Sequence, residues 1–484
     1  MRMPAATLAT VFVATFALPA ATLELLPCKL TAVGGRYEVS ARCGELPVPL
    51  DPSQPDGERL GLHVAVVPAL AEDSLPDPLV VIAGGPGDAA TRFYAAMAGA
   101  FTSVARRRDI VLVDQRGTGQ SAPLHCPGLD AEGLDWSVGD SVDETVALTL
   151  ACLDDLDHDP RFFTTSVAAQ DLELVREALG YAQFNIYGVS YGTRVAQHYL
   201  RRHPERTRSL VLDGLVPASV ALGPDTALES QVALDATWAR CEANGSCNAA
   251  FPDIRARFDA VMRRLGEAPA TVTVPHPASG QPTPLVLTRT IAAGVVRLLV
   301  YSPQSAAMLP VLVNDAFERR YDRLAAQALM LAEGIGELAY GLNFAVVCTE
   351  DVPFWGEVDL EAQRRTYMGT MFVEALAKVC ERWPAGVMDE GFKAPVESDV
   401  PVLILSGEKD PITPPRYVSL ATPFLANHVE VVGPGQGHGM LAVGCVPHLV
   451  AEFVDAPEPS ELDSACAERI VPFPPFISPL GPAP

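Results

Sequence analysis

The chain has 484 residues, 49% of them hydrophobic, which fits a globular protein with a large core, as one enlarged domain or two. Its 59 acidic residues against 35 basic ones give a net charge of -24, which argues against nucleic acid or an anionic membrane surface as partner. Downstream of the N-terminus no apolar run approaches the ~20 residues that cross a bilayer, which argues against an integral membrane protein.

The first residues are read as a signal peptide, 1–21. Met1-Arg2-Met3-Pro4 is a short basic start, Leu8 to Leu18 is apolar or small throughout, and Pro19-Ala20-Ala21 supplies small residues for cleavage near Ala20 to Thr22. The mature chain is then expected in the periplasm or outside the cell, with no membrane attachment. Export places the ten cysteines in an oxidising compartment, where an even number suggests a disulfide framework. They fall into the local couples Cys28/Cys43, Cys126/Cys152, Cys241/Cys247, Cys348/Cys380 and Cys445/Cys466. None has the Cys-x-x-Cys spacing of a zinc site, and no metal or organic cofactor is expected.

In chain order, 36–40 and 60–67 read as strands separated by a proline-rich polar turn. The continuous apolar run from Pro78 to Ala83, the kind buried on both faces of a parallel sheet, ends in Gly84-Gly85-Pro86-Gly87. A helical segment leads to a second buried strand, Asp109 to Asp114, and the loop Gln115-Arg116-Gly117-Thr118-Gly119-Gln120-Ser121. Helical periodicity over 141–155 and 166–179, with Ser166 as an N-cap, precedes another strand-like run, Phe184-Asn185-Ile186-Tyr187. Ser209 to Gly214 supplies the next strand. This alternation implies a mostly parallel, doubly wound sheet over 22–217. From 218 to 395 the rhythm breaks into helical stretches around 226–243, 254–265, 290–300, 308–331 and 360–379, read as an inserted, mainly helical cap. Buried strands resume at Val400 to Gly407 and His428 to Val432 in a C-terminal part, 396–470, and 471–484 reads as an extended proline-rich tail.

Chemistry concentrates around Gly188-Val189-Ser190-Tyr191-Gly192, a strand-to-helix turn that lifts a serine hydroxyl to the sheet edge. A serine nucleophile needs a base and an acid to orient that base. Asp410, after one late strand, and His438, between glycines after the next, supply them, with Glu408 a rival acid. The chain order Ser, Asp, His is that of the α/β-hydrolase fold. The amide of Tyr191 and that of Gly85 are the expected oxyanion donors. Arg116 reads as a structural tie for loop carbonyls, and His198, His203 and His448 read as structural.

Gly84-Gly85-Pro86-Gly87, Asp114-Gln115-Arg116-Gly117-Thr118-Gly119-Gln120-Ser121 and Gly188-Val189-Ser190-Tyr191-Gly192 together resemble the proline iminopeptidase and tripeptidyl aminopeptidase group of serine exopeptidases. The segment from Val400 to Cys466 resembles the C-terminal part of its tripeptidyl aminopeptidase-like branch. Where that family usually has histidine before Gly-Gly-Pro-Gly, this chain has Ala83. The resemblance implies a secreted serine aminopeptidase acting on peptides with a free N-terminus, in which Ser190 attacks, His438 shuttles the proton and Asp410 holds the imidazole. It further implies a cap carboxylate that pairs with the substrate ammonium group, with Glu350 first and Asp351 second in Cys348-Thr349-Glu350-Asp351. An esterase or lipase on the same scaffold is the alternative, and a binding protein on an inactive hydrolase fold is a third reading.

Overall fold

The computed structural model describes residues 23–35, 37–129 and 141–483. The predicted signal peptide lies outside the described residues. In chain order the strands are β1 (Leu26–Thr31), β2 (Glu38–Pro49), β3 (Arg59–Val67), β4 (Leu79–Ile82), β5 (Ile110–Val113), β6 (Phe184–Val189), β7 (Thr207–Asp213), β8 (Ala270–Pro275), β9 (Pro282–Leu287), β10 (Val402–Gly407) and β11 (His428–Gly433). All but β8 and β9 join one nine-stranded sheet, ordered β1-β2-β3-β5-β4-β6-β7-β10-β11. The pairings β1/β2, β2/β3 and β3/β5 are antiparallel, and every pairing from β5 to β11 is parallel.

The central strands are apolar without alternation because helices cover both faces of the sheet. Helices Ala90–Ala105 and Val446–Asp455 bury Tyr94, Phe101, Leu449 and Phe453 against one face. Helices Thr165–Leu179 and Tyr191–Arg202 bury Leu172, Val175, Val195 and Tyr199 against the other. The expected N-cap Ser166 sits inside its helix instead: Thr164 is the cap residue, and Ser166 Oγ accepts a hydrogen bond from the Asp389 amide at 3.0 Å.

Two differences from the sequence reading lie at the antiparallel end. β1 has no clear alternation, yet it is tied to β2 by the Cys28–Cys43 disulfide. β2 continues through Pro47 and Pro49 where a turn was expected. Proline is tolerated there because β1 pairs only with Glu38 to Cys43, leaving one side of the later residues without a ladder partner.

Between β7 and β10 the chain forms helices and the β8/β9 hairpin, most of them around a core of their own that includes Trp238, Phe258, Leu265, Val296 and Leu312, while Leu342, Ala345 and Val346 pack into the core of the sheet. The hairpin, inside the stretch expected to be mainly helical, was not anticipated. Two predicted helices are each split. Leu309–Phe317 and Asp322–Ile335 part at Arg319, with φ 65°, and Leu360–Arg364 and Met371–Cys380 part before a turn holding Gly369, also at φ 65°. Helix Tyr340–Glu350 was missed because it is apolar nearly all round and shows no amphipathic period.

Disulfides join all five local cysteine couples, and none of the ten cysteines is free. The C-terminal segment docks on the cap: the Phe476 amide donates to the Ala307 carbonyl at 2.9 Å, and Ile477 packs on the cap core. Among the described residues no helix is long and apolar enough to cross a membrane.

Candidate active site

The carboxyl ends of β4, β6, β10 and β11 converge at one sheet edge and carry Gly84 to Gly87, Ser190, Asp410 and His438. Ser190 has φ 56° and ψ -125°, a conformation that costs a non-glycine residue energy and that surrounding packing must impose. The packing is visible at its flanks. A Cβ on Gly188 would stand 2.5 Å from the Gly192 carbonyl oxygen, and one on Gly192 would stand 2.5 Å from that of Ile82. Strand, turn and helix therefore close only with glycine at both places.

The loop Gly84-Gly85-Pro86-Gly87 lies directly beside this turn: a Cβ on Gly84 would be 3.0 Å from Ser190 Cβ. The Gly85–Pro86 peptide is cis. Neither the Gly85 amide nor the Tyr191 amide, the first of the elbow helix, donates a hydrogen bond among the described residues. Both expected donors are available to a developing oxyanion.

His438 Nδ1 stands 2.7 Å from Asp410 Oδ2, which fixes the tautomer with the proton on Nδ1 and leaves Nε2 to accept another. Asp410 is itself held by the amides of Ile412 and Thr413, each at 2.8 Å, and by Thr413 Oγ1 at 2.7 Å. Glu408, the rival acid, points elsewhere: it accepts the Gly435 amide at 2.7 Å and pairs with Lys409 at 2.9 Å on the surface. Burial pushes the imidazolium of His438 down, but the charge and hydrogen bond of Asp410, with Asp213 beyond, outweigh it and hold the pKa above 6.5. Burial likewise raises Asp410, and His438 and the Thr413 and Ile412 amides more than reverse it. Ser190 Oγ makes no hydrogen bond among the described residues; catalytic hydrogen bonds commonly tighten only when substrate binds.

Three further residues shape the site, and none was singled out from the sequence. Thr413 Oγ1 lies 3.2 Å from His438 Nδ1, bridging acid and base. Asp213, fully buried at the end of β7, accepts the Met440 and Leu441 amides at 2.7 and 2.9 Å and the Tyr187 hydroxyl at 2.8 Å, pinning the chain just beyond His438. Tyr301 comes from the cap. Its carbonyl accepts the His438 amide at 2.6 Å, and its ring meets the imidazole edge-on at 5.4 Å between centroids. A Cβ on Gly437 would stand 2.1 Å from that carbonyl oxygen, so the glycine before His438 is needed for this approach. A polar residue ending a buried strand was the available signal for Asp213; Thr413 and Tyr301 carried none.

A family model described as alpha/beta hydrolase fold matches residues 77–444. The chain belongs to that family. It is similar to the serine protease Hip1 of Mycobacterium tuberculosis, 25% identical over 426 residues, covering 81% of this chain and 80% of that one. It is also similar to a tripeptidyl aminopeptidase of Streptomyces lividans, 30% identical over 212 residues, covering 41% of this chain and 40% of that one. Among solved structures, proline iminopeptidase from Mycobacterium smegmatis aligns at 18% identity and TM-score 0.40, over 86% of this chain and 99% of that one.

The cap carboxylates of this hydrolase differ from expectation. Glu350 and Asp351 are 0% exposed. Asp351 takes both arms of Arg194, at 2.7 and 3.1 Å, and the Leu222 amide at 2.8 Å. Glu350 accepts the Thr165 amide at 2.7 Å and its hydroxyl at 2.8 Å, with Arg194 at 3.4 Å. Since Thr165 donates to Glu350, the Tyr191 hydroxyl at 2.8 Å donates to Thr165. Both acids are thus spent on a buried guanidinium of the elbow helix, which demands anions, and neither is placed to receive a substrate ammonium group. Burial drives the Glu350 carboxyl up to about 7, against the pull of Arg194 and Thr165.

Arg116 is structural, as expected, though its main partner is another side chain. It grips Asp171 at 2.6 and 2.7 Å and donates to the carbonyls of Leu50, Phe162 and Pro49. His198 is buried and stacked on Phe392 at 4.0 Å.

Proposed function

We propose that this chain is an exported serine peptidase that releases short peptides from N-termini through an acyl-enzyme on Ser190. The observation that carries the reading is the His438–Asp410 pair, at 2.7 Å, brought to the same sheet edge as the strained Ser190. Ser190 Oγ attacks the scissile carbonyl carbon while its proton passes to His438 Nε2. The Gly85 and Tyr191 amides take up the charge on the carbonyl oxygen. The imidazolium returns the proton to the leaving nitrogen as the C–N bond breaks. A water then repeats the sequence, its proton going to His438 and its oxygen to the acyl carbon, and Ser190 Oγ leaves with that proton.

The relatives named as serine protease and tripeptidyl aminopeptidase support peptides as substrates, and the five disulfides fit an oxidising compartment. With Glu350 and Asp351 committed to Arg194, no acidic side chain among the described residues lines the apolar cavity of the cap. That observation favours a second reading, hydrolysis of carboxylic esters. Chromogenic amides with free or acetylated N-termini, assayed beside p-nitrophenyl esters, separate the two. Turnover of free-amine amides alone is the expected result; ester turnover with no amide cleavage would establish the second reading instead.

A further inference from the structure

A cavity of about 330 Å³ opens in the cap against helix Val142–Asp154, lined by apolar groups that include Ala293, Phe344, Met371, Phe372, Leu376 and Val379. Arg297 is the only charged side chain among the described residues that line it. The cavity's lining reaches the catalytic loops through one intervening residue on each of two sides. The Arg297 guanidinium lies 5.6 Å from the Tyr301 ring, which contacts His438, and Phe344 follows Asn343, whose side chain donates to the Pro86 carbonyl of the oxyanion loop at 3.0 Å.

Among the described residues Arg297 has no anionic partner. It forms no ion pair or hydrogen bond among them, its Nε is buried and unpartnered, and only the faces of Tyr301 and Phe372 receive its charge, at 5.6 and 5.8 Å. The fully buried Arg116 and Arg194 are each gripped by carboxylates, whereas Arg240, which shares with Arg297 a buried and unpartnered Nε, lies outside this cavity. A partly buried guanidinium left on aromatic faces alone keeps donors that only a further acceptor can satisfy. A wall of apolar side chains with one convergent charged group is the usual make-up of a small-ligand site.

We propose that Arg297 is the specificity-determining residue of the substrate pocket and that it selects substrates carrying a carboxylate beside an apolar group. This rests on Ser190 being the acyl acceptor. The carboxylate is either an acidic side chain near the scissile bond or the free C-terminus of a short leaving peptide. A substrate ammonium group is excluded from this pocket by like charge and must lie further along the acyl part.

The test uses matched pairs on the mature protein: peptides with Glu or Gln at the residue preceding the scissile bond, peptides ending in a carboxylate or a carboxamide, and the p-nitrophenyl monoester of glutarate against p-nitrophenyl valerate. A charge-assisted hydrogen bond predicts a preference in kcat/KM of about ten- to a hundredfold for the carboxylate member of at least one pair. The first two pairs distinguish side chain from C-terminus. The preference should fall toward unity in Arg297→Met and survive in part in Arg297→Lys. Equal turnover within every pair by the wild type overturns the proposal even if no variant folds, as does a preference that persists in Arg297→Met. Absence of all peptide cleavage, with the glutarate monoester still preferred, would overturn the peptidase reading and leave this one standing.

Discussion

Ser190 is held by its backbone and His438 by its hydrogen bonds, so substitutions at the two act differently. Ser190→Ala keeps the elbow and should lower kcat by about four to six powers of ten with an unchanged melting temperature. Asp410→Asn should cost about four powers of ten by spoiling the imidazole tautomer, whereas Glu408→Gln should stay within a fewfold of wild type. Comparable losses in both variants would reassign the orienting acid. The pH profile follows from the raised pKa of His438. Neutral imidazole is the active base, so kcat/KM should fall as pH drops through a value above 6.5. An acid limb below 6.5 would contradict the Asp410–His438 coupling. Ser190, Asp410 and His438 were legible because each follows a recognisable strand with local glycines or a turn. Thr413, Asp213 and Tyr301 were not, since what matters about Asp213 is its bond to amides 227 and 228 residues away.

The elbow helix is locked from behind by Arg194, Asp351 and Glu350, and the same lock holds the Tyr191 hydroxyl through Thr165. Cys348-Thr349-Glu350-Asp351 reads in sequence as a receiver for a substrate ammonium group, but it closes a helix apolar nearly all round, and burial on that scale is decided by tertiary packing rather than by neighbours in the chain. A carboxyl raised by burial to about 7 in the folded state, against 4.5 ordinarily, penalises folding above that pH. The penalty is relieved as pH falls from about 7 toward 4.5. Glu350→Gln removes this dependence, so its melting temperature relative to wild type should be more favourable at pH 8 than at pH 5. A difference that does not change with pH would show that Glu350 does not titrate there.

Across the whole molecule the strand–helix alternation made the hydrolase sheet readable, because buried parallel strands leave continuous apolar runs between helices. The cap was less readable. Its helices range from 4 to 18 residues, two expected helices are interrupted at positive φ, and its hairpin interrupts a helical stretch, so no single period spans it. The cysteines were legible as neighbours in sequence, and thiol titration of the denatured, unreduced protein should find none free; finding most of them reactive would contradict the disulfide framework and the export it supports. The central claim is that Ser190, activated by His438, is the acyl acceptor, and a fluorophosphonate probe with peptide mapping by mass spectrometry tests it most directly. One phosphonyl group per folded chain, on Ser190, with labelling lost in His438→Ala, is the predicted result. A folded wild-type protein that remains unlabelled, or that carries the label on another residue, would contradict it.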